Sequence, residues 1–252
     1  MTDAFRLDGR TALVTGASRG IGAALSVALG QAGATLVLTG RDEGALAATA
    51  KAVRASGTDA RTLVLDVASP DSIAAAFAAL RDTRLDILVN NAGVEEVRAS
   101  EAVDEALWDR IVGTNLKGAF FCAQAFARNG AGDTPRAILN LCSLTSAVGI
   151  PTAVPYGSAK TGLVGMTRAL AAEWAGRGIR VNGLGPGYFR TAMTDSFFDD
   201  DGWANATRNR IPLGRFGELE DLTGPAVFLC SDAARYVTGQ VLYADGGMLA
   251  SL

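Results

Sequence analysis

Seven short apolar runs are spaced along this 252-residue chain, each followed by a longer stretch rich in Ala. The runs are 11–15, 34–38, 61–65, 86–89, 137–141, 179–182 and 240–243. They are almost continuously apolar, as strands covered on both faces are, and the intervening segments are long enough for crossover helices. That alternation predicts an α/β fold: a three-layer arrangement of a seven-stranded parallel sheet with helices on both faces. A helix is expected from about Ile21 to Gln31, and long Ala-rich helices over 104–129 and 153–176. Ser69-Pro70-Asp71 reads as an N-cap, a first-turn Pro and an acidic first turn. No Pro/Ser-rich linker divides the chain, so residues 1–252 are read as one domain. The least regular stretch, 185–217, holds a segment at 190–210 with Phe197, Phe198, Asp199-Asp200-Asp201 and Trp203, which is read as a substrate lid with an acidic turn.

Composition narrows the chemistry. The chain has no histidine, which removes the commonest proton carrier, any Ser-His-Asp triad and imidazole-based metal sites. Three scattered cysteines, Cys122, Cys142 and Cys230, do not make a metal site, and they read as buried thiols in a reducing compartment. A net charge of −3 with scattered basic residues argues against nucleic acid. The N-terminus lacks the apolar core of a signal peptide and no apolar run would span a bilayer, so the cytoplasm is the expected location.

Without histidine, a different proton carrier is needed. Tyr156 and Lys160 stand four residues apart, hence on one face of a helix, where an ammonium would favour the phenolate and lower the phenol pKa. After the first strand comes Thr15-Gly16-Ala17-Ser18-Arg19-Gly20-Ile21-Gly22. This Gly-rich turn opens a helix whose free N–H groups and positive dipole end suit a pyrophosphate. Beyond the second strand, Gly40 stands where an acid would bind an NAD ribose, while Arg41 and Arg19 could grip a 2′-phosphate, so NADP(H) is the expected cofactor. Asp42 reads as a helix N-cap.

These residues have neighbours in a recognisable order: Asp66-Val67, Asn90-Asn91-Ala92-Gly93, Asn115, Ser143, Tyr156 and Lys160, then Pro186-Gly187 and Thr191. The chain resembles the short-chain dehydrogenase/reductase family over essentially its whole length. The resemblance implies a Tyr156 acid/base, a Lys160 that lowers its pKa and binds the nicotinamide ribose, a Ser143 that hydrogen-bonds the substrate oxygen, and an Asn115 that positions a water linking Lys160 to solvent. It also implies that Asp66 and Val67 hold the adenine, that Asn90 braces the sheet beside the cofactor, and that Ala92, Gly93, Pro186, Gly187 and Thr191 line the cofactor. Finally, it implies a homotetramer pairing the helices 104–129 and 153–176 and the C-terminal strand. Pro135 at the entrance of the fifth strand and Cys142 beside Ser143 are small departures from the family pattern.

The run Gly185–Thr194 is similar to sugar-acid and polyol dehydrogenases of the gluconate 5-dehydrogenase type. Carrier-linked 3-oxoacyl reductases share most of that pattern. Glu95, Leu144, Val154, Tyr188 and Phe197, with Ser143, are the candidate substrate contacts, and Glu96 could act alongside Glu95. The expected reaction is hydride transfer between NADP(H) and a small polar keto or hydroxy compound. The alternatives are a 3-oxoacyl or broad ketone reductase, an epimerase or dehydratase on the same fold, and a non-catalytic NADP(H)-binding scaffold or sensor.

Overall fold

A computed structural model describes residues 3–129, 135–190 and 200–251. Its centre is a parallel sheet of seven strands: β1 (Thr11–Thr15), β2 (Thr35–Gly40), β3 (Ala60–Val64), β4 (Ile87–Asn90), β5 (Arg136–Leu141), β6 (Ile179–Pro186) and β7 (Val241–Ala244). The order across the sheet is β3-β2-β1-β4-β5-β6-β7. The chain therefore runs outward from β1 to β3, then returns to β4 on the other side of β1. Val14 pairs with Leu38 on β2 and with Val89 on β4. This reversal leaves a crevice at the C-terminal ends of β1 and β4, the place where open α/β sheets take ligands.

Eight α-helices are described: α1 (Gly20–Gln31), α2 (Glu43–Ala55), α3 (Pro70–Ala79), α4 (Glu105–Val112), α5 (Ala119–Arg128), α6 (Val154–Trp174), α7 (Asp201–Asn209) and α8 (Glu220–Cys230). One face of the sheet buries Leu25 and Leu29 of α1, Leu46 and Val53 of α2, and Leu222 and Leu229 of α8. The other buries Ile73 and Phe77 of α3, Cys122 and Phe126 of α5, and Leu170 and Trp174 of α6. Both faces of the central strands are covered, which accounts for their apolar runs, whereas the edge strands β3 and β7, expected to be covered as well, stay partly exposed at Val64 and Leu242.

Local signals act as expected at two helix starts. Asp42 caps α2 by accepting from Gly44 N at 2.8 Å. Ser69 caps α3 by accepting from Ser72 N at 3.2 Å, with Pro70 in the first turn. Two expectations need correction. The helix expected over 104–129 is interrupted by a π-helical stretch, Gly113–Gly118, which joins α4 to α5 and carries Asn115. The stretch 185–217 is more regular than its composition suggests. Strand β6 continues to Pro186, and the supposed acidic turn starts a helix, because Asp200 accepts from Trp203 N at 3.0 Å and caps α7. Residues 191–199, with Thr191, Phe197 and Phe198, lie outside the described residues.

Polar residues tie the sheet to the helices behind it. Asn90 Nδ2 donates to Asn140 Oδ1 at 2.9 Å and to Ala119 O at 3.1 Å, and Asn140 Nδ2 donates to Thr167 Oγ1 at 2.9 Å. This buried chain links β4, β5 and α6, the three elements that carry the site.

Candidate active site

A cleft of about 780 Å³ opens at the C-terminal ends of the central strands. At one end lies the loop between β1 and α1. Gly16 has a φ of +64°, and a Cβ on Gly22 would fall 2.3 Å from Gly16 O, so the loop folds as tightly as it does only with glycine at these positions. The neighbouring Asn91 turn is clamped onto it. Asn91 Nδ2 donates to Thr15 O at 2.9 Å and Gly16 O at 3.0 Å, while Thr15 Oγ1 accepts from Asn91 N and Ala92 N, both at 3.0 Å. Thr15 and Asn91 thus hold the site without having been singled out individually; the signal was their place at the ends of adjacent strands.

Ser18, Arg19, Gly20, Ile21, Gly22, Gly40, Arg41, Asp66 and Val67 line this end of the cleft. The N-terminus of α1 points its unpaired N–H groups toward it, with no acidic residue in the first turn. Two arginines with no acid at position 40, beside a glycine cradle and a helix N-terminus, match a dinucleotide carrying an extra phosphate. The residues present therefore fit NADP(H).

At the other end, three elements bring Ser143, Tyr156 and Lys160 together. Strand β5 ends at Leu141, and Ser143 follows as the cap of a short turn, its Oγ accepting from Thr145 N at 3.2 Å. Ser146 Oγ in that turn accepts from Ser143 N and donates to Lys160 O at 3.0 Å, so the turn is tied directly to α6. On α6, Tyr156 and Lys160 face the cleft one turn apart. Lys160 is only 4% exposed; its Nζ lies 5.5 Å from the Tyr156 ring centroid and donates to Leu141 O at 2.6 Å.

The electrostatics differ from the expectation. Burial pushes the Tyr156 phenol above its ordinary value, the Glu95 carboxylate adds to that, and only the Ser143 hydroxyl pulls down. Burial also lowers the Lys160 ammonium to about 8. Lys160, expected to lower the Tyr156 pKa, is not among these causes; its Nζ sits at the Leu141 carbonyl.

Asn115 is 1% exposed and is committed to the backbone of Val94. Its Oδ1 accepts from Val94 N at 2.8 Å and its Nδ2 donates to Val94 O at 2.7 Å. Gly93 passes so close that a Cβ there would lie 2.9 Å from Asn115 Oδ1. Asn90 is buried in the polar chain behind the cleft and is not among the residues that line it.

Ser143, Leu144, Glu95, Tyr188, Pro186 and Gly187 all line the cleft. Trp203 of α7 lines it as well, edge-on to Tyr188 with centroids 5.4 Å apart and stacked over Phe216 at 6.4 Å. Val154 does not belong to the wall. It is the first residue of α6 and 44% exposed. Positions i and i+2 on a helix are about 200° apart, so when Tyr156 faces the cleft Val154 faces away. The paired acids separate too. Glu96 is bound by Arg98 and Arg110 in a surface cluster, whereas Glu95 turns into the cleft.

The fold and the cleft define a dinucleotide-dependent oxidoreductase. The chain belongs to the short-chain dehydrogenase/reductase family: the family model described as Enoyl-(Acyl carrier protein) reductase matches residues 16–249. It is 40% identical over 252 residues to gluconate 5-dehydrogenase of Gluconobacter oxydans (strain 621H), covering 99% of this chain and 98% of that protein. It is 37% identical over 243 residues to the 3-oxoacyl-[acyl-carrier-protein] reductase FabG of Staphylococcus aureus (strain N315), covering 95% and 98%. Its fold matches the crystal structure of a gluconate 5-dehydrogenase from Burkholderia cenocepacia J2315 in complex with NADP and tartrate, with a TM-score of 0.95 and 39% identity over 99% of each chain.

Proposed function

We propose that this protein transfers a hydride between NADP(H) and the carbonyl or secondary alcohol of a small polar compound of the sugar-acid or polyol type. The observation that carries the reading is the meeting of Ser143, Tyr156 and buried Lys160 in the cleft that the Gly16–Gly22 loop opens. Bound NADP(H) supplies or accepts the hydride. Gly16, Ser18, Arg19, Gly20, Ile21 and Gly22 cradle its phosphates, Arg41 grips the 2′-phosphate with Arg19, Asp66 and Val67 flank the adenine, and Ala92, Gly93, Pro186, Gly187 and Thr191 complete the wall. Asn90 braces the sheet from behind.

In the reducing direction Tyr156 donates its proton to the oxygen that gains charge, and Ser143 donates a hydrogen bond to that oxygen. A phenol held protonated by burial suits this role. In the oxidising direction Tyr156 must first lose its proton, which the ammonium of Lys160 favours when it is charged and close. Asn115 fixes the 93–95 segment and leads the proton path from Lys160 to solvent. Leu144, Tyr188 and Phe197 form the apolar wall, and Glu95 the polar one.

We further read residues 1–252 as a single catalytic domain acting as a homotetramer in the cytoplasm. Exposed apolar residues on the expected pairing elements support the assembly: Trp108 on α4 is 39% exposed and Leu242 on β7 is 40% exposed. Buried, unpaired Cys122, Cys142 and Cys230 suit a reducing compartment. No described helix is long and apolar enough to cross a membrane.

NADPH oxidation against a panel of keto sugars, keto acids and a 3-oxoacyl thioester, with NADP+ reduction by polyols and sugar acids, tests the reading. Turnover of a polyhydroxy compound above the thioester is expected. Faster turnover of the thioester than of every other compound would favour the 3-oxoacyl reductase reading. Cofactor binding without turnover of any carbonyl or alcohol would favour a scaffold.

A further inference from the structure

Glu95 and Glu96 are adjacent, yet their surroundings are opposite. Glu96 is bound by two arginines, which hold its carboxyl below the ordinary range. Glu95 makes no hydrogen bond or ion pair among the described residues, although it is half-buried in the same cleft as Ser143, Tyr156, Lys160 and Tyr188. Its position is not accidental, because the preceding Val94 is held at both backbone atoms by Asn115. A carboxyl that gives up water without gaining a partner costs stability, and such groups concentrate where a ligand supplies the missing partner.

We propose that Glu95 is a specificity residue that selects substrates with a hydroxyl on the carbon next to the reacting carbonyl and rejects those with a carboxylate there. This rests on the hydride-transfer reading of the same site. A carboxylate accepts hydrogen bonds and donates none, so it rewards a hydroxyl donor. It also repels a second anion, most strongly at short range. Glu95 shares the cleft with Ser143, Tyr156, Lys160 and Tyr188, and its charge bears on the last three. A ketone whose oxygen meets Ser143 and Tyr156 would turn a flanking carbon to this carboxylate. Among the described residues Lys160 is the one cation whose charge acts on Glu95, and its ammonium is engaged with Leu141 O. Arg110 lines the cleft but is bound to Glu96. A sugar acid remains acceptable when its carboxylate lies several carbons from the reacting one.

Three ketones of nearly equal size isolate the effect: acetone, hydroxyacetone and pyruvate, each reduced with NADPH by the wild type, Glu95→Gln and Glu95→Ala. The wild type is expected to rank hydroxyacetone above acetone and acetone above pyruvate in kcat/KM. In Glu95→Gln the hydroxyacetone-to-pyruvate ratio should fall roughly ten- to hundredfold, the worth of a hydrogen bond to a charged group, with the Kd for NADPH unchanged. A ratio equal in wild type and variants, or pyruvate preferred by the wild type, would overturn the proposal. Titration of the NADP+ complex with 1,2-propanediol and with lactate makes the same comparison without turnover. A diol preference lost in Glu95→Gln, in a protein that oxidises and reduces nothing, would keep this role for Glu95 while refuting the hydride-transfer reading. Equal binding of diol and lactate by a protein that turns over ketones would do the reverse.

Discussion

The ammonium of Lys160 donates to the carbonyl of Leu141 at 2.6 Å, so the residue expected to tune Tyr156 is anchored to the end of β5. Ser146 ties the backbone of the same lysine to the turn that carries Ser143. Ser143 and Tyr156 are therefore set by a single junction between β5 and α6, and several measurable consequences come from it.

Burying Lys160 should cost stability in a pH-dependent way. Its pKa falls from 10.5 to about 8, chiefly through desolvation, which corresponds to about 3 kcal/mol at pH 7. A lysine whose folded pKa is depressed carries the full penalty below about pH 8. The penalty fades as pH rises from there toward 10.5, because only the unfolded chain still binds the proton. Lys160→Met should therefore melt higher than wild type at pH 7, with the difference shrinking by pH 9.5. Melting curves of both proteins at the two pH values check this, and a constant difference would mean that the lysine is not charged and buried as described.

Asn115 should matter for stability before it matters for proton flow. Asn115→Ala leaves Val94 N and Val94 O without partners, at a cost of about 2 kcal/mol. A lower denaturation midpoint with faster amide exchange at 93–96 is the expected result. An unchanged midpoint with reduced turnover would assign Asn115 to the proton path alone.

Cofactor preference should be reversible at position 40. Gly40 has ordinary backbone angles, and a Cβ there would meet Leu46 Cδ2 at 3.4 Å, an ordinary contact. Gly40→Asp combined with Arg41→Ala should fold normally and shift the NADPH-to-NADH ratio of kcat/KM toward NADH by at least about tenfold, since an acid repels the 2′-phosphate and accepts from a 2′-hydroxyl. Tighter binding of NADH than NADPH by the wild type would contradict the roles given to Arg19 and Arg41.

The segment 190–210, expected as a lid, can be followed at its described end. Trp203 packs on Tyr188 and Phe216 at the mouth of the cleft. Amide exchange across 200–210 should slow when NADPH and a turned-over substrate analogue are added, and Trp203→Ala should raise KM more than it lowers kcat. Unchanged exchange would leave α7 as a static wall.

Most of this architecture was legible in the chain because the signals are local. The runs at 11–15 and 86–89 are apolar on both faces and fold as buried parallel strands, and Asp42 and Ser69 cap the helices they precede. What stayed hidden depended on three-dimensional neighbours. The π-helical stretch at Asn115 has no composition of its own. The cap at Asp200 is masked by the acids on either side. Val154 is apolar and near Tyr156 in sequence, but helical rotation turns it outward. The raised Tyr156 pKa reflects how much water the fold removes from the phenol, which no spacing of residues conveys. Likewise, the different fates of Glu95 and Glu96 are decided by arginines at 98 and 110.

The most direct test of the account is the turnover of Tyr156→Phe with the best ketone of the panel, measured beside its Kd for NADPH. The phenol hydroxyl acts on charge that develops in the transition state, so kcat should fall by about 10³-fold or more while the cofactor Kd stays within about twofold of wild type. Turnover within tenfold of wild type would contradict the assignment of Tyr156 as the proton carrier.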